Sequence, residues 1–77
     1  MDVRDLKYGD LVELWKSVDF RYVLSDEFDI NVEENTFVAD EDDDYTPFSF
    51  ISKIWREDQN GNYILIFDRE GKSEQHE

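Results

Sequence analysis

Two runs rich in β-forming residues, Phe48-Ser49-Phe50-Ile51-Ser52-Lys53-Ile54-Trp55-Arg56 and Tyr63-Ile64-Leu65-Ile66-Phe67, flank the segment Asp58-Gln59-Asn60-Gly61-Asn62. Nothing else in the chain narrows its fold as much. β-branched and aromatic side chains suit a pleated, half-buried surface. Asn-Gly is the favoured central pair of a type I′ hairpin turn, in which both residues take φ > 0. With Asn60-Gly61 as a two-residue loop, Gln59 is expected opposite Asn62, and the register runs back from there. Tyr63 then faces Asp58, Leu65 faces Arg56, Ile66 faces Trp55, Phe67 faces Ile54, and Lys53 meets Asp68 as an opposite-charge pair. In this register Trp55, Ile64 and Ile66 share one face, and Ile54, Leu65 and Phe67 share the other. Both faces are apolar, so one of them is expected to meet something besides solvent, whether a helix, a second sheet layer or another chain.

Upstream, Phe28, Ile30 and Val32 alternate with polar neighbours, the period of a half-buried strand. Glu34-Asn35 is expected to turn it back into Thr36-Phe37-Val38-Ala39. Before it, Phe20-Arg21-Tyr22-Val23-Leu24 reads as another strand, ended by Ser25-Asp26. Pro47 fits a connection or the first position of the following strand, where its missing N–H does no harm. Residues 11–18 stay open. Leu11, Leu14, Trp15 and Val18 fall at helical spacing, with Asp10 as N-cap and Glu13 closing a capping box. Val12 and Leu14 equally fit a strand leaving a turn at Tyr8-Gly9-Asp10.

The segment Val3-Arg4-Asp5-Leu6-Lys7-Tyr8-Gly9-Asp10-Leu11-Val12-Glu13-Leu14 resembles the opening of small SH3-like barrels, in which a Gly-Asp turn delivers an apolar first strand. That resemblance implies a mainly β fold: a small antiparallel SH3-like or partly open barrel over residues 1–70. The alternative is an α+β fold with a helix at about 11–18 packed on a curved sheet. Twelve aromatic residues among 77 supply the core, since each can bury on the order of 150–250 Å². The polar stretch 71–77 is expected to be a flexible tail.

Charge bounds the function. Between Arg21 and Lys53 there is no basic residue, yet that interval holds ten carboxylates: Asp26, Glu27, Asp29, Glu33, Glu34 and the run Asp40-Glu41-Asp42-Asp43-Asp44. It therefore supplies -10 of the net -13. Such a field repels nucleic acid and anionic membrane and attracts basic protein surfaces. Glu27, Asp29 and Glu33 are expected to form an outward acidic rail on one strand, extended by the acidic loop at 40–46. Asp40, Asp42 and Asp44 have the 1-3-5 spacing of an EF-hand loop, but Tyr45 stands where that loop needs glycine and Ile51 where it needs glutamate. What remains is weak calcium binding as a minor alternative, and no metal site is assigned.

No cysteine is present, which excludes disulfides and thiolate metal sites. The lone histidine, His76, stands one residue from the chain end and makes a poor catalytic base. No enzymatic activity and no cofactor are expected. The start lacks the pattern of a signal peptide, so the expected location is the cytoplasm. In composition the chain is similar to small acidic phage-encoded inhibitors of host nucleases or polymerases and to immunity proteins for nuclease toxins. That resemblance implies a polyanion mimic that binds a basic nucleic-acid-binding protein through Glu27, Asp29, Glu33, Asp40, Asp42 and Asp44. The competing expectation is a structural or accessory module, monomer or homodimer, that binds or self-associates through the apolar hairpin residues Trp55, Ile64 and Ile66.

Overall fold

A computed structural model describes residues 1–41 and 43–70; Asp42 and the 71–77 stretch lie outside the described residues. Among the described residues seven strands run in chain order: β1 Leu11–Leu14, β2 Arg21–Val23, β3 Asp29–Asn31, β4 Thr36–Val38, β5 Thr46–Pro47, β6 Ile51–Glu57 and β7 Tyr63–Asp68. They form two antiparallel sheets, a four-stranded one in the order β2-β1-β6-β7 and a three-stranded one in the order β3-β4-β5. The chain is mainly β, as the sequence implies, but the sheets do not close into a barrel.

The ambiguity at 11–18 resolves against the helix. β1 ends at Leu14, and Trp15-Lys16 turn the chain back with both residues at positive φ, +55° and +57°. Ser17 N–H donates to Leu14 O at 3.1 Å to close this turn. A short 3₁₀ turn, Val18–Phe20, leads into β2. Asp10 caps no helix; it accepts from Lys7 N–H and is buried against Arg56. Gly9, at φ +89°, supplies the left-handed residue of the expected Gly-Asp turn.

The core lies between the sheets. Val12, Leu14, Ile51 and Ile54 come from the four-stranded sheet and Phe37 from β4, with Leu24 after β2 completing the layer. Val3 and Leu6 enter from an N-terminal 3₁₀ turn capped by Asp2, and Phe48 from a 3₁₀ turn, Phe48–Phe50, that stands where the sequence suggests continuous strand.

The β6–β7 hairpin forms, but its register departs from expectation near the turn. Lys53 meets Asp68 and Ile54 meets Phe67 as expected, whereas Trp55 pairs with Leu65, Arg56 with Ile64 and Glu57 with Tyr63. The loop is the reason. Gly61 N–H donates to Asp58 O at 3.0 Å and Asp58 N–H to Asn62 O at 2.8 Å, with Gly61 at φ +86°. Asn60 stays at negative φ, because the Asp58 carboxylate accepts from Asn60 N–H and Asn62 N–H and holds a longer turn. This three-residue loop closed by a left-handed glycine shifts the pairing by one residue, and a bulge at Ile66 restores the register before the core pair is reached. Leu65 thus shares a face with Trp55, and Ile64 shares one with Arg56. The expected grouping of Trp55 with Ile64 and Ile66 is corrected accordingly.

Candidate functional site

Beside the four-stranded sheet, acids are matched with bases. Asp10, 1% exposed, receives the Arg56 guanidinium on both oxygens at 2.9 Å. Glu13, 3% exposed, takes Arg21 Nε at 2.9 Å, with Ser52 Oγ 3.0 Å from its other oxygen. The hydrogen bond to Asp10 raises the Arg56 pKa. Across the outer face of this sheet runs a row of alternating sign, Arg21–Glu13–Lys53–Asp68, each member the cross-strand partner of the next. Beside it lies an apolar row, Val23–Leu11–Trp55–Leu65. Arg21 covers part of that row, with its guanidinium carbon 4.6 Å from the Trp55 ring centroid.

The three-stranded sheet is the opposite case. The four ion pairs among the described residues use Asp2, Asp10, Glu13 and Glu70, none of them from the interval 26–44. The acidic rail does not form on one strand: Asp29 alone lies in β3, Glu27 sits in the turn before it, and Glu33 lies in the β3–β4 turn. A half-buried strand face was the wrong frame, because β3 is only three residues long.

What gathers instead is a cluster where the chain enters β3 and leaves β4. Ser25 N–H donates to Ala39 O at 3.0 Å, joining the two ends. The Ser25 hydroxyl lies 3.1 Å from Ala39 O and 3.3 Å from Asp40 Oδ1, and it accepts from Glu27 N–H at 3.0 Å. Glu27 and Asp40 are thereby brought together. The hydrogen bond to Asp40 holds the Glu27 carboxyl above its usual range, with partial desolvation and the charges of Asp40 and Asp26 acting in the same direction. Asp29 is held low, chiefly by the Tyr45 hydroxyl that donates to it and then by the Ile30 N–H. Asp43 and Asp44 are exposed on the same connection, and Asp43 N–H donates to Asp40 O at 3.0 Å. The expected loop at 40–46 is shortened because Thr46 and Pro47 pair with Phe37 and Thr36 as β5.

Of the residues singled out in the sequence, the fold therefore brings Glu27, Asp29, Asp40 and Asp44 to one end of the three-stranded sheet. Glu33 stands apart in the opposite turn. Asp42 lies outside the described residues. Trp55, Ile64 and Ile66 belong to the other sheet and are split among its two faces and a bulge.

Sequence reasoning missed Trp15 and Tyr22. Both are exposed, and they line a cleft of about 240 Å³ together with Asp43 and Asp44. The Trp15 ring is held edge-on by Phe20, with ring centroids 4.9 Å apart, and by Phe50 at 5.5 Å. Trp15 fell on the same apolar stripe as Leu11 and Leu14, and only the left-handed turn separates it from the core. Among the described residues no group of three or more His, Asp or Glu side chains is placed to hold a metal ion, and no helix is long and apolar enough to cross a membrane. No protein-family model, curated protein or solved structure matches the chain.

Proposed function

We propose that the protein is a binding module whose acidic end, built from Glu27, Asp29, Asp40, Asp43 and Asp44, docks on a basic protein surface and competes there with nucleic acid. One observation carries this reading: none of the carboxylates of residues 26–44 takes part in the four ion pairs among the described residues, while the acids that do pair lie outside that interval. A field left open in this way steers a basic partner and speeds encounter. Duplex DNA offers the same sign of charge at a spacing of one per ~1.7 Å of axis.

The test is displacement of a short fluorescent DNA duplex from poly-L-lysine. The parent protein should displace it, and with an affinity that falls steeply as the Debye length shrinks to about 8 Å at physiological ionic strength. Replacing Asp40, Asp43 and Asp44 together by Asn should weaken displacement at least tenfold. A control with the same change in net charge, Asp19→Asn, Glu57→Gln and Asp68→Asn, should weaken it far less. Equal losses in the two variants would show that bulk charge acts and that no acidic face exists.

A second reading has its own observation. The row Val23–Leu11–Trp55–Leu65 leaves Val23 53% and Leu65 45% exposed on an outer sheet face. An apolar row of that kind suits a second protein surface or a second copy. Leu65→Lys should abolish association if this row is the interface, and leave DNA displacement unchanged if the acidic end is.

A further inference from the structure

The cleft between the edge of the four-stranded sheet and the β4–β5 connection has walls of unlike chemistry. Its lining brings together the aromatic residues Trp15, 53% exposed, and Tyr22, 43% exposed. Phe37, Asp43 and Asp44 line the same cleft. At about 240 Å³ it falls below the roughly 300–1,000 Å³ of ordinary small-molecule sites, a size that suits one side chain better than a cofactor. Anions are repelled by the two carboxylates. A hard metal ion seeks a shell of oxygens, which aromatic walls do not supply. A purely apolar group would strip water from both carboxylates without replacing it. The remaining class is an organic cation with a flat or apolar body, which satisfies ring faces and carboxylates together.

The chain builds this arrangement for itself elsewhere. The Arg21 guanidinium lies over the Trp55 ring while its Nε donates to Glu13; Arg69 repeats the ring part alone, 5.6 and 5.2 Å from the Phe48 and Phe67 ring centroids, with its donors on the carbonyls of Ile51 and Phe48. Arginine suits such a place better than lysine, because its planar guanidinium stacks on rings and presents a fork of donors to carboxylates. Trp15 is also fixed in advance. Its N–H donates to Phe50 O at 3.1 Å, the Lys16 N–H donates to Ser52 Oγ at 3.0 Å, and two aromatic neighbours hold its ring. A second hollow that Trp15 also lines, about 410 Å³, has Lys16 and Arg69 as well as Glu70 in its lining and lacks this single-sign character.

We propose that the Trp15–Tyr22–Asp43–Asp44 cleft receives one arginine side chain presented by the basic partner. This inference rests on the acidic-end reading above and locates the specificity of that surface. The experiment is a nuclear magnetic resonance titration with acetyl-Gly-Arg-Gly-amide, its citrulline counterpart and its lysine counterpart. The arginine peptide should shift the Trp15 indole N–H and the Asp43 and Asp44 amides saturably, and the citrulline peptide should not. Two variants remove one aromatic residue each. Trp15→Gly suits the left-handed backbone and so keeps the turn, and Tyr22→Thr keeps a strand former in β2. Each should weaken arginine binding at least tenfold with amide dispersion preserved. Equal binding of citrulline, equal or tighter binding of lysine, or parental affinity in both variants overturns the assignment. If the cleft variants bind the peptide like the parent but the Asp-to-Asn variant still loses DNA displacement, this inference fails alone. If that variant keeps displacement, the acidic-end reading fails with it.

Discussion

The two sheets treat charge in opposite ways. In and beside the four-stranded sheet Asp10 and Glu13 are nearly inaccessible, and each is held by a guanidinium. In the three-stranded sheet and its loops, carboxylates stand in solvent beside one another, and one of them, Glu27, is held above its usual pKa by a second acid. A buried carboxylate must be paired, because desolvating a lone charge is costly. An exposed one is under no such demand, so a surplus gathered there is free to serve recognition. The difference assigns stability to one sheet and an open field to the other.

The largest test of that division is Arg56→Leu. It removes the guanidinium from Asp10 and leaves a carboxylate at 1% exposure with only the Lys7 N–H. Breaking a buried pair costs about 3–5 kcal/mol. Arg56 is itself 34% exposed and water can enter, so the expected loss is about 3 kcal/mol in urea unfolding. Tyr45→Phe, which deprives the solvent-exposed Asp29 of its hydroxyl donor, should cost far less, because water replaces the lost partner. Similar losses in the two variants would erase the contrast.

The next effect concerns how the four-stranded sheet is closed, and it bears on what the sequence reveals. Strand composition, the core pair Ile54–Phe67, the outer-face pair Lys53–Asp68 and the surplus of acid were all legible, because each follows from local composition or period. The turns were not. Asn60-Gly61 has the sequence of a type I′ turn, yet the Asp58 carboxylate captures two N–H groups and imposes a longer loop. Trp15-Lys16, which carries no turn signal, takes the double positive-φ turn because Phe50 O and Ser52 Oγ, more than thirty residues away, accept its N–H groups. Tertiary hydrogen bonds overrode local preference, and the cleft followed, since it depends on that turn. Left-handed backbone costs an ordinary residue about 1–2 kcal/mol. Gly61→Val should therefore destabilise by about 2 kcal/mol, whereas Lys16→Gly should stabilise by up to about 1 kcal/mol, its exposed ion pair with Glu70 contributing little. An unchanged melting temperature for Gly61→Val would place the left-handed residue elsewhere.

The smallest effect, and the most direct probe of the open field, is its response to salt and pH. Screening should raise the urea midpoint as sodium chloride increases, because the acids of residues 26–44 repel one another. Acidification acts through groups of opposite sign. Glu27 has a native pKa above its ordinary 4.5, owing first to the hydrogen bond with Asp40. The native state therefore holds that proton more tightly than the unfolded chain, and this contribution is full below 4.5 and lost as pH rises through the raised native value. Asp29, held below its ordinary 3.8 by Tyr45, and Asp2, held below it by Arg4, behave in reverse: their contribution is present above 3.8 and lost as pH falls through their lowered native values. The midpoint should thus climb from neutral pH toward about 4.5 and fall again below 3.8. Glu27→Gln should flatten the climb and leave the acid-side fall intact. A midpoint that declines steadily from pH 7 downward would mean that Glu27 gains nothing from its neighbour Asp40 and that the acids of residues 26–44 do not repel one another, and the open field would lose its mark on stability.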